Sequence, residues 1–386
     1  MEVTLLQVLW FLLVGVVMLV YSLLGGYDIG VGSLYLFSSK KQRPNMIEKV
    51  GPFWDANTIW LITLGGGIAA SFPAVFAVTF SGYYLAIMLV LVALIMRIVA
   101  IEFRYQLNTP GWSKVWDACF GLGSILLPVL LGVALGNAMR GLPLIVNEAG
   151  YPAFEAGKFF SLLNPYSVLV GVFALVFFAW HGCNYLNATG NEDVRASVRK
   201  KGPVLAGVSL ALFLVIGIYT FMGGQGHDFL AGAAHLSKNF MNFPPLFVFP
   251  LLAVGGMLFY FMAGKESKIK PLFASIFASL GVVGTVGASL FPRLIPNSMT
   301  VDKYNPTGLT DFTSEHLTAN ITSSTMDPTL TIANAANTEP ALLVGLIIAL
   351  LGVVIMLPYT IFVYRKFLKK AKDTSAAVSS GASRNV

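Results

Sequence analysis

Charge is scarce in this chain of 386 residues: Asp, Glu, Lys and Arg together make up 11% of it, against 56% hydrophobic residues. Soluble domains are about one quarter charged, so this sequence cannot cover a surface that faces water on all sides. Cysteine is nearly absent. Cys119 and Cys183 both lie in apolar runs and form no CxxC or CxxCH, which excludes a disulfide framework, a thiolate zinc or iron–sulfur site and a covalently attached haem. Histidine is also rare. His227, His235 and His316 fall in polar stretches, and only His181, beside Trp180, lies in an apolar run. A b-type haem needs two axial ligands at membrane depth, commonly His with His or Met. One such His therefore reads as hydrogen-bonded within a helix bundle, and the 13 scattered Met residues read as packing. No P-loop occurs, nor a GxGxxG after a strand. The net charge of +7 comes without a clustered basic face carrying stacking aromatics, which excludes nucleic acid as a partner.

What is present is a series of long apolar runs. A helix needs about 20 mostly apolar residues to cross the hydrocarbon of a bilayer, and helix is enforced because no water there satisfies the backbone. The runs predict an all-α integral membrane protein with nine transmembrane helices, at 5–25, 55–72, 76–100, 116–137, 165–186, 204–223, 245–263, 272–292 and 341–364. Met1–Thr4 carries no basic residue and the first run is long, so it reads as a retained span rather than a cleaved leader. Alternating the loops leaves 19 of the 25 Lys and Arg residues on one side and five on the other, with Arg97 inside a span. The positive-inside rule makes the richer side cytoplasmic, with the N-terminus outside and the basic Arg365–Lys370 segment inside. The reading is one membrane domain over 1–373, divisible into halves at 1–140 and 160–292, which suggests two four-helix bundles plus one extra helix at 341–364. A polar outside loop at 293–340 and a disordered cytoplasmic tail at 374–386 complete it.

Ionisable residues inside a bilayer are costly and mark cavities or partners. Five cluster at the predicted cytoplasmic ends: Asp28 at the end of span one, Asp55 opening span two, Arg97 and Glu102 closing span three, and Asp117 opening span four. Each has an ordinary alternative. Asp55 and Asp117 suit helix N-termini, where a carboxylate caps free N–H groups; Asp28, Arg97 and Glu102 suit the interface. Arg97 and Glu102 are five residues apart, so they lie roughly 140° apart around a helix and do not pair. A bridge from Arg97 to Asp28 or Asp55 is expected instead. The functional reading is a carboxylate relay taking protons from the cytoplasm. Gly26-x-x-x-Gly30 and Gly65-x-x-x-Ala69 place small residues one turn apart, the pattern of close helix approach, and Gly30 and Gly32 suggest a bend near Asp28. On these residues alone, a secondary transporter with midplane acids fits as well as a respiratory subunit.

The motifs then point to a family. Gly51-Pro52-Phe53-Trp54-Asp55-Ala56-Asn57-Thr58-Ile59-Trp60, running on to Phe72-Pro73, resembles subunit II of the cytochrome bd quinol oxidases. So do Asp28-Ile29-Gly30-Val31-Gly32, Phe80–Tyr84, Arg97 with the acid after it, Gly132–Asn137, Leu163-Asn164-Pro165 and Pro296-x-Ser298-Met299-Thr300. Some members carry Asp where this chain has Glu102, and the loop after Thr300 is longer than the family pattern. The resemblance implies a haem-free subunit with no catalytic residue of its own, beside a subunit I that carries haem b and haem d and oxidises quinol. It implies a proton pathway through Asp55, Glu102 and Asp28 with Arg97 as charge partner, and a structural role for Trp54, Asn57 and Trp60. It also admits a structural quinone in this chain and small single-helix accessory subunits. A second alternative is an assembly subunit that takes no part in proton movement.

Overall fold

The computed structural model describes residues 3–146, 152–155, 159–223, 234–263, 267–297 and 329–379. The chain is mostly helical, as its composition requires. In order, the elements are α1 (Leu5–Tyr35), α2 (Arg43–Val50), α3 (Trp54–Ser71), α4 (Pro73–Gly82), α5 (Tyr84–Phe103), α6 (Pro110–Arg140), β1 (Leu144–Val146), β2 (Pro152–Phe154), α7 (Pro165–Thr189), α8 (Glu192–Gly223), α9 (Ala234–Asn242), α10 (Val248–Met262), α11 (Lys270–Leu290), β3 (Arg293–Ile295), β4 (Leu330–Thr331) and α12 (Glu339–Ser379).

Among the described residues, eight helices are long and apolar enough to cross a membrane: α1, α5, α6, α7, α8, α10 with the turn before it, α11 and α12. The candidate at 55–72 is a helix, α3, but Trp54, Asp55 and Asn57 in its first turns lower its mean hydropathy, and it is not one of the eight. The candidate at 76–100 needs correction. It is two helices, broken where Tyr83 leaves helical geometry at φ −97° and ψ 18°. The Tyr83 hydroxyl donates to the Ala134 carbonyl at 3.1 Å. The membrane-length piece is α5, and α4 is a short apolar helix started by Pro73.

Several helix starts are legible in capping chemistry. Asn164 Oδ1 accepts from the Ser167 N–H at 3.0 Å, with Pro165 at the first position of α7; both are strong start signals. Thr109 does the same for α6, accepting from the Trp112 N–H at 3.4 Å ahead of Pro110. The start of α6 therefore lies seven residues before Asp117, which is not a cap.

Helices α1, α6 and α7 pack against one another at the centre. The closest approach is between Gly30 on α1 and Gly182 on α7. A Cβ on Gly30 would run into the Phe178 carbonyl, and one on Gly182 would meet the Gly30 and Val31 backbone. The small-residue reading is right for Gly26 and Gly30, and α1 passes through Gly30 and Gly32 as helix to Tyr35. At Gly65 an added Cβ would have no neighbour within 4 Å in this chain, so no helix of this chain uses that position for close approach. Helices α10 and α11 pair closely on the far side of α7, and α12 touches only α1 and α3 to any extent.

At the end of the bundle away from the charged cluster, β1 and β2 form an antiparallel hairpin, and β3 pairs antiparallel with β4. These segments and the ends of α1, α3, α4 and α12 share one core that includes Trp10, Phe72, Tyr83, Leu142, Ile295, Leu330 and Leu342. The predicted loop at 293–340 is thus folded at both its flanks, while residues 298–328 lie outside the described residues, as do His227, His316 and residues 380–386. Large apolar side chains line the outer helices; Ile348, Leu351, Val354 and Ile355 of α12 are each more than half exposed. An exposed apolar surface of this extent marks a membrane or a protein partner.

Candidate functional site: the charged end of the bundle

The five predicted ionisable residues do share one end of the bundle, but the structure divides them into separate sets. The first is a buried ion pair. Asp28 on α1 and Arg97 on α5 are 2% and 3% exposed, and Arg97 Nη2 lies 2.9 Å from Asp28 Oδ1. The contact is between charges and not along a hydrogen-bond axis, for neither atom makes an aligned hydrogen bond. The guanidinium is anchored from its other side, where Nε donates to Ser124 Oγ at 2.9 Å. Ser124 donates in turn to the Phe120 carbonyl on its own helix, α6. Ser33 reaches from α1 to the Ser124 carbonyl at 2.8 Å. Three helices are thereby tied around one compensated charge. Of the two bridges expected for Arg97, the structure has the one to Asp28.

The second set is centred on Asp117. Its carboxylate accepts from Tyr35 Oη at 2.5 Å, from Arg43 Nη1 at 2.8 Å and from Arg104 Nε at 2.5 Å. This corrects the capping reading: with seven helical residues ahead of it, Asp117 has no free N–H groups to cap, and it instead joins α2, α5 and α6 to the end of α1. Tyr35, Arg43 and Arg104 were missed in the sequence. Tyr35 stands seven residues after Asp28 on the same helix, nearly two full turns, which is the one signal that could have found it. Arg43 and Arg104 are indistinguishable from other loop bases.

A third set is uncharged. Asn57, fully buried on α3, donates through Nδ2 to Tyr27 Oη at 3.1 Å and accepts at Oδ1 from Tyr364 Oη at 3.0 Å. The two tyrosine hydroxyls also bond each other. Tyr27 stacks on Tyr185 at 3.9 Å, and Tyr364 stacks on Phe53 at 4.5 Å. Trp60 is buried in the core around Tyr21, Ile29 and Leu127, while Trp54 packs half-buried against the core around Tyr35 and Met46.

Asp55 and Glu102 belong to none of these sets. Both are exposed on this chain and neither makes an ion pair among the described residues. Asp55 lies on a face of α3 that continues through Ile62, Gly66 and Ala70, all exposed, with nothing within 4 Å of the Gly66 position.

His181 is buried, and both ring nitrogens are engaged: Nε2 lies 2.9 Å from the Leu23 carbonyl and Nδ1 lies 2.8 Å from Ser275 Oγ. The carbonyl can only accept, so Nε2 carries the proton and Nδ1 accepts from the serine. Neither nitrogen is left for iron. Among the described residues no group of three or more His, Cys, Asp or Glu could hold a metal ion.

An apolar cavity of about 520 Å³ lies deeper in the bundle, between α1, α3, α6, α7, α8 and α11, with Tyr21, Phe72, Leu131, Phe177, Ile216 and Val286 among its walls. Four of its wall hydroxyls are already used: Thr220, Ser279, Thr285 and Ser289 each donate to the carbonyl four residues back.

Residues 6–367 match the family described as cytochrome bd terminal oxidase subunit II. The chain is 32% identical to a probable cytochrome oxidase subunit 2 of Haemophilus influenzae over 383 residues, covering 94% of each. It is 32% identical to the cytochrome bd-I ubiquinol oxidase subunit 2 of Escherichia coli, covering 82% of this chain and 88% of that one. The cytochrome bd ubiquinol oxidase subunit 2 of Bacillus subtilis is also 32% identical, over 75% and 82%. A chain of the bd oxidase from Geobacillus thermodenitrificans superposes with a TM-score of 0.65 over 95% of this chain and 99% of that one, at 17% identity; that likeness concerns the fold alone.

Proposed function

This chain belongs to the cytochrome bd terminal oxidase subunit II family, a multi-pass cell-membrane component of an oxidoreductase complex, and from that premise we propose that it is the haem-free partner of a haem-bearing subunit I in a quinol:oxygen oxidoreductase and helps deliver protons from the cytoplasm. The haems belong to the partner in this reading, because the described residues do not fit one: His181, the one His in an apolar run, has both nitrogens committed. When quinol is oxidised and O2 reduced to water there, each water formed needs two protons. The family match disfavours the transporter alternative.

The observation that carries the proton reading is the exposure of Asp55 and Glu102 at the end of the bundle that also holds the buried Asp28–Arg97 pair. A carboxylate facing lipid is costly; one facing a protein partner or a water-filled seam is not. Helix α3 makes the same point. It is the least apolar of the nine candidate spans, and its open face through Ile62, Gly66 and Ala70 has the small-residue character that lets another helix approach closely. We read α3 as the ninth span, covered by subunit I, so that Asp55 stands on the seam between subunits. In the same reading the helices form two four-helix sets, α1, α3, α5, α6 and α7, α8, α10, α11, with α12 extra. In this reading the charged end, rich in bases, faces the cytoplasm by the positive-inside rule.

The cavity supports a further element of this reading. Its volume is within the range of small-molecule sites, roughly 300–1,000 Å³, and its walls are mostly hydrocarbon. Those walls suit the isoprenoid chain of a structural quinone. Solvent extraction of the purified complex followed by mass spectrometry tests it.

The central test replaces Asp55 by Asn and Glu102 by Gln and measures quinol-driven oxygen consumption and proton uptake in vesicles. Loss of a positioned proton carrier is worth about 10²–10⁴ in rate where it is the sole route. Unchanged rates with an intact haem spectrum would leave the chain as a purely structural subunit.

A further inference from the structure

Asp55 and Asn57 are two residues apart in the first turns of α3, so their side chains leave the axis about 200° apart. Asn57 points inward and is fully buried, and Asp55 points outward and is exposed. Whatever fixes the rotation of Asn57 therefore fixes the direction of Asp55.

Asn57 is held by a closed ring. Its Nδ2 donates to Tyr27 Oη, Tyr27 and Tyr364 share a hydroxyl–hydroxyl bond, and Tyr364 Oη donates back to Asn57 Oδ1. With Tyr364 donating to Asn57, the proton of the hydroxyl pair must come from Tyr27. Each member then donates once and accepts once, the arrangement in which hydrogen bonds reinforce one another. Neither tyrosine is free to drift. Tyr27 stacks on Tyr185, whose hydroxyl donates to the Lys49 carbonyl of α2 at 2.9 Å. Tyr364 stacks on Phe53, the residue before α3 begins.

The third member comes from a distant part of the chain. Helix α12 touches little but α1 and α3 and shows most of its length to the outside. It is fastened at one end where Trp10 Nε1 donates to the Leu342 carbonyl at 2.9 Å, and at the other by Tyr364, immediately before the basic segment that starts at Arg365. Its second fastening is the Asn57 ring.

We propose that the Asn57–Tyr27–Tyr364 ring is a positioning device: it sets the rotation of the first turn of α3, and so the aim of Asp55 toward the subunit seam, with α12 supplying the closing hydroxyl. This rests on the reading of Asp55 as a proton carrier. Tyr364 and Asn57 carry no proton themselves; they act through Asp55.

The test uses the complete complex in vesicles and four forms: wild type, Tyr364→Phe, Asp55→Asn and the double variant. Tyr364→Phe keeps the stack on Phe53 and removes only the closing hydroxyl. The expected result is a fall of roughly tenfold in the turnover of quinol-driven oxygen reduction, on the scale of a small misplacement of a reacting group, with the KM for quinol and the visible haem spectrum unchanged. Added to Asp55→Asn, it should cost nothing further. Wild-type turnover in Tyr364→Phe, or a loss that multiplies with that of Asp55→Asn, overturns the proposal while leaving the carrier reading intact. Full turnover in Asp55→Asn overturns both. If Tyr364→Phe loses haem, Tyr27→Phe, which opens the same ring from α1, replaces it with the same expected and overturning results.

Discussion

Asp28 and Asp55 are both carboxylates at the same end of the bundle, and their surroundings in this chain are opposite. Asp28 is sealed against Arg97, which is braced by Ser124. Asp55 is exposed on an uncovered helix face and makes no ion pair among the described residues. Asp28 is completed by its own chain, whereas under the proposed function Asp55 is completed by a neighbour. Two acids that composition and position along the spans make look alike thus differ in whether this chain itself compensates them.

Breaking the sealed side should have the largest effect. Removing one member of a buried ion pair strands the other charge and costs about 3–5 kcal/mol, so Arg97→Gln or Asp28→Leu should abolish assembly, read as loss of co-purifying haem absorbance. Replacing both by apolar residues should recover much of it, because a buried pair adds little net stability over well-packed hydrocarbon. No recovery would show that the charges have a role beyond mutual compensation.

Gly30→Ala tests the packing that seals the pair. Its Cβ would collide with the Phe178 backbone, and overpacking of this kind costs about 1–3 kcal/mol, measurable as a lower midpoint in thermal unfolding of the detergent-solubilised complex. Asp117→Asn should act on a similar scale, about 1.5–3 kcal/mol for weakened hydrogen bonds to charged groups, and should loosen α2, so that limited proteolysis between Ser38 and Val50 becomes faster.

The open side should respond least. Asp55→Asn and Glu102→Gln should leave the thermal midpoint nearly unchanged, within about 0.5 kcal/mol for exposed sites, even where turnover falls. Gly66→Leu sharpens the contrast with Gly30. It meets nothing in this chain and improves helix propensity by up to about 1 kcal/mol, yet it should prevent co-purification of subunit I. Normal assembly of Gly66→Leu would mean that this face is not the subunit seam.

The medium, the helical class and most helix positions were legible in the sequence, because apolar runs of membrane length admit one backbone solution. The family was legible too, through a continuous motif around Asp55. The break at Tyr83 was not, since both sides of it are apolar and the cause is a hydroxyl bond to Ala134, far along the chain. Nor was the assignment of the acids. Asp117 looked like a cap because its helix begins at a Thr-Pro just beyond the apolar run, and its partners Arg43 and Arg104 lie between the apolar runs, where bases are expected for orientation alone.

What the sequence by itself determined is therefore which segments must be helices in lipid and which few residues are too polar to be there without a reason. Hydropathy and charge are local properties, and a bilayer reads them locally. Only the tertiary structure decided which of those residues compensate one another. That depends on which faces of α1, α3, α5 and α6 meet, and one residue along α3, about 100° around its axis, already separates exposed Asp55 from buried Ala56.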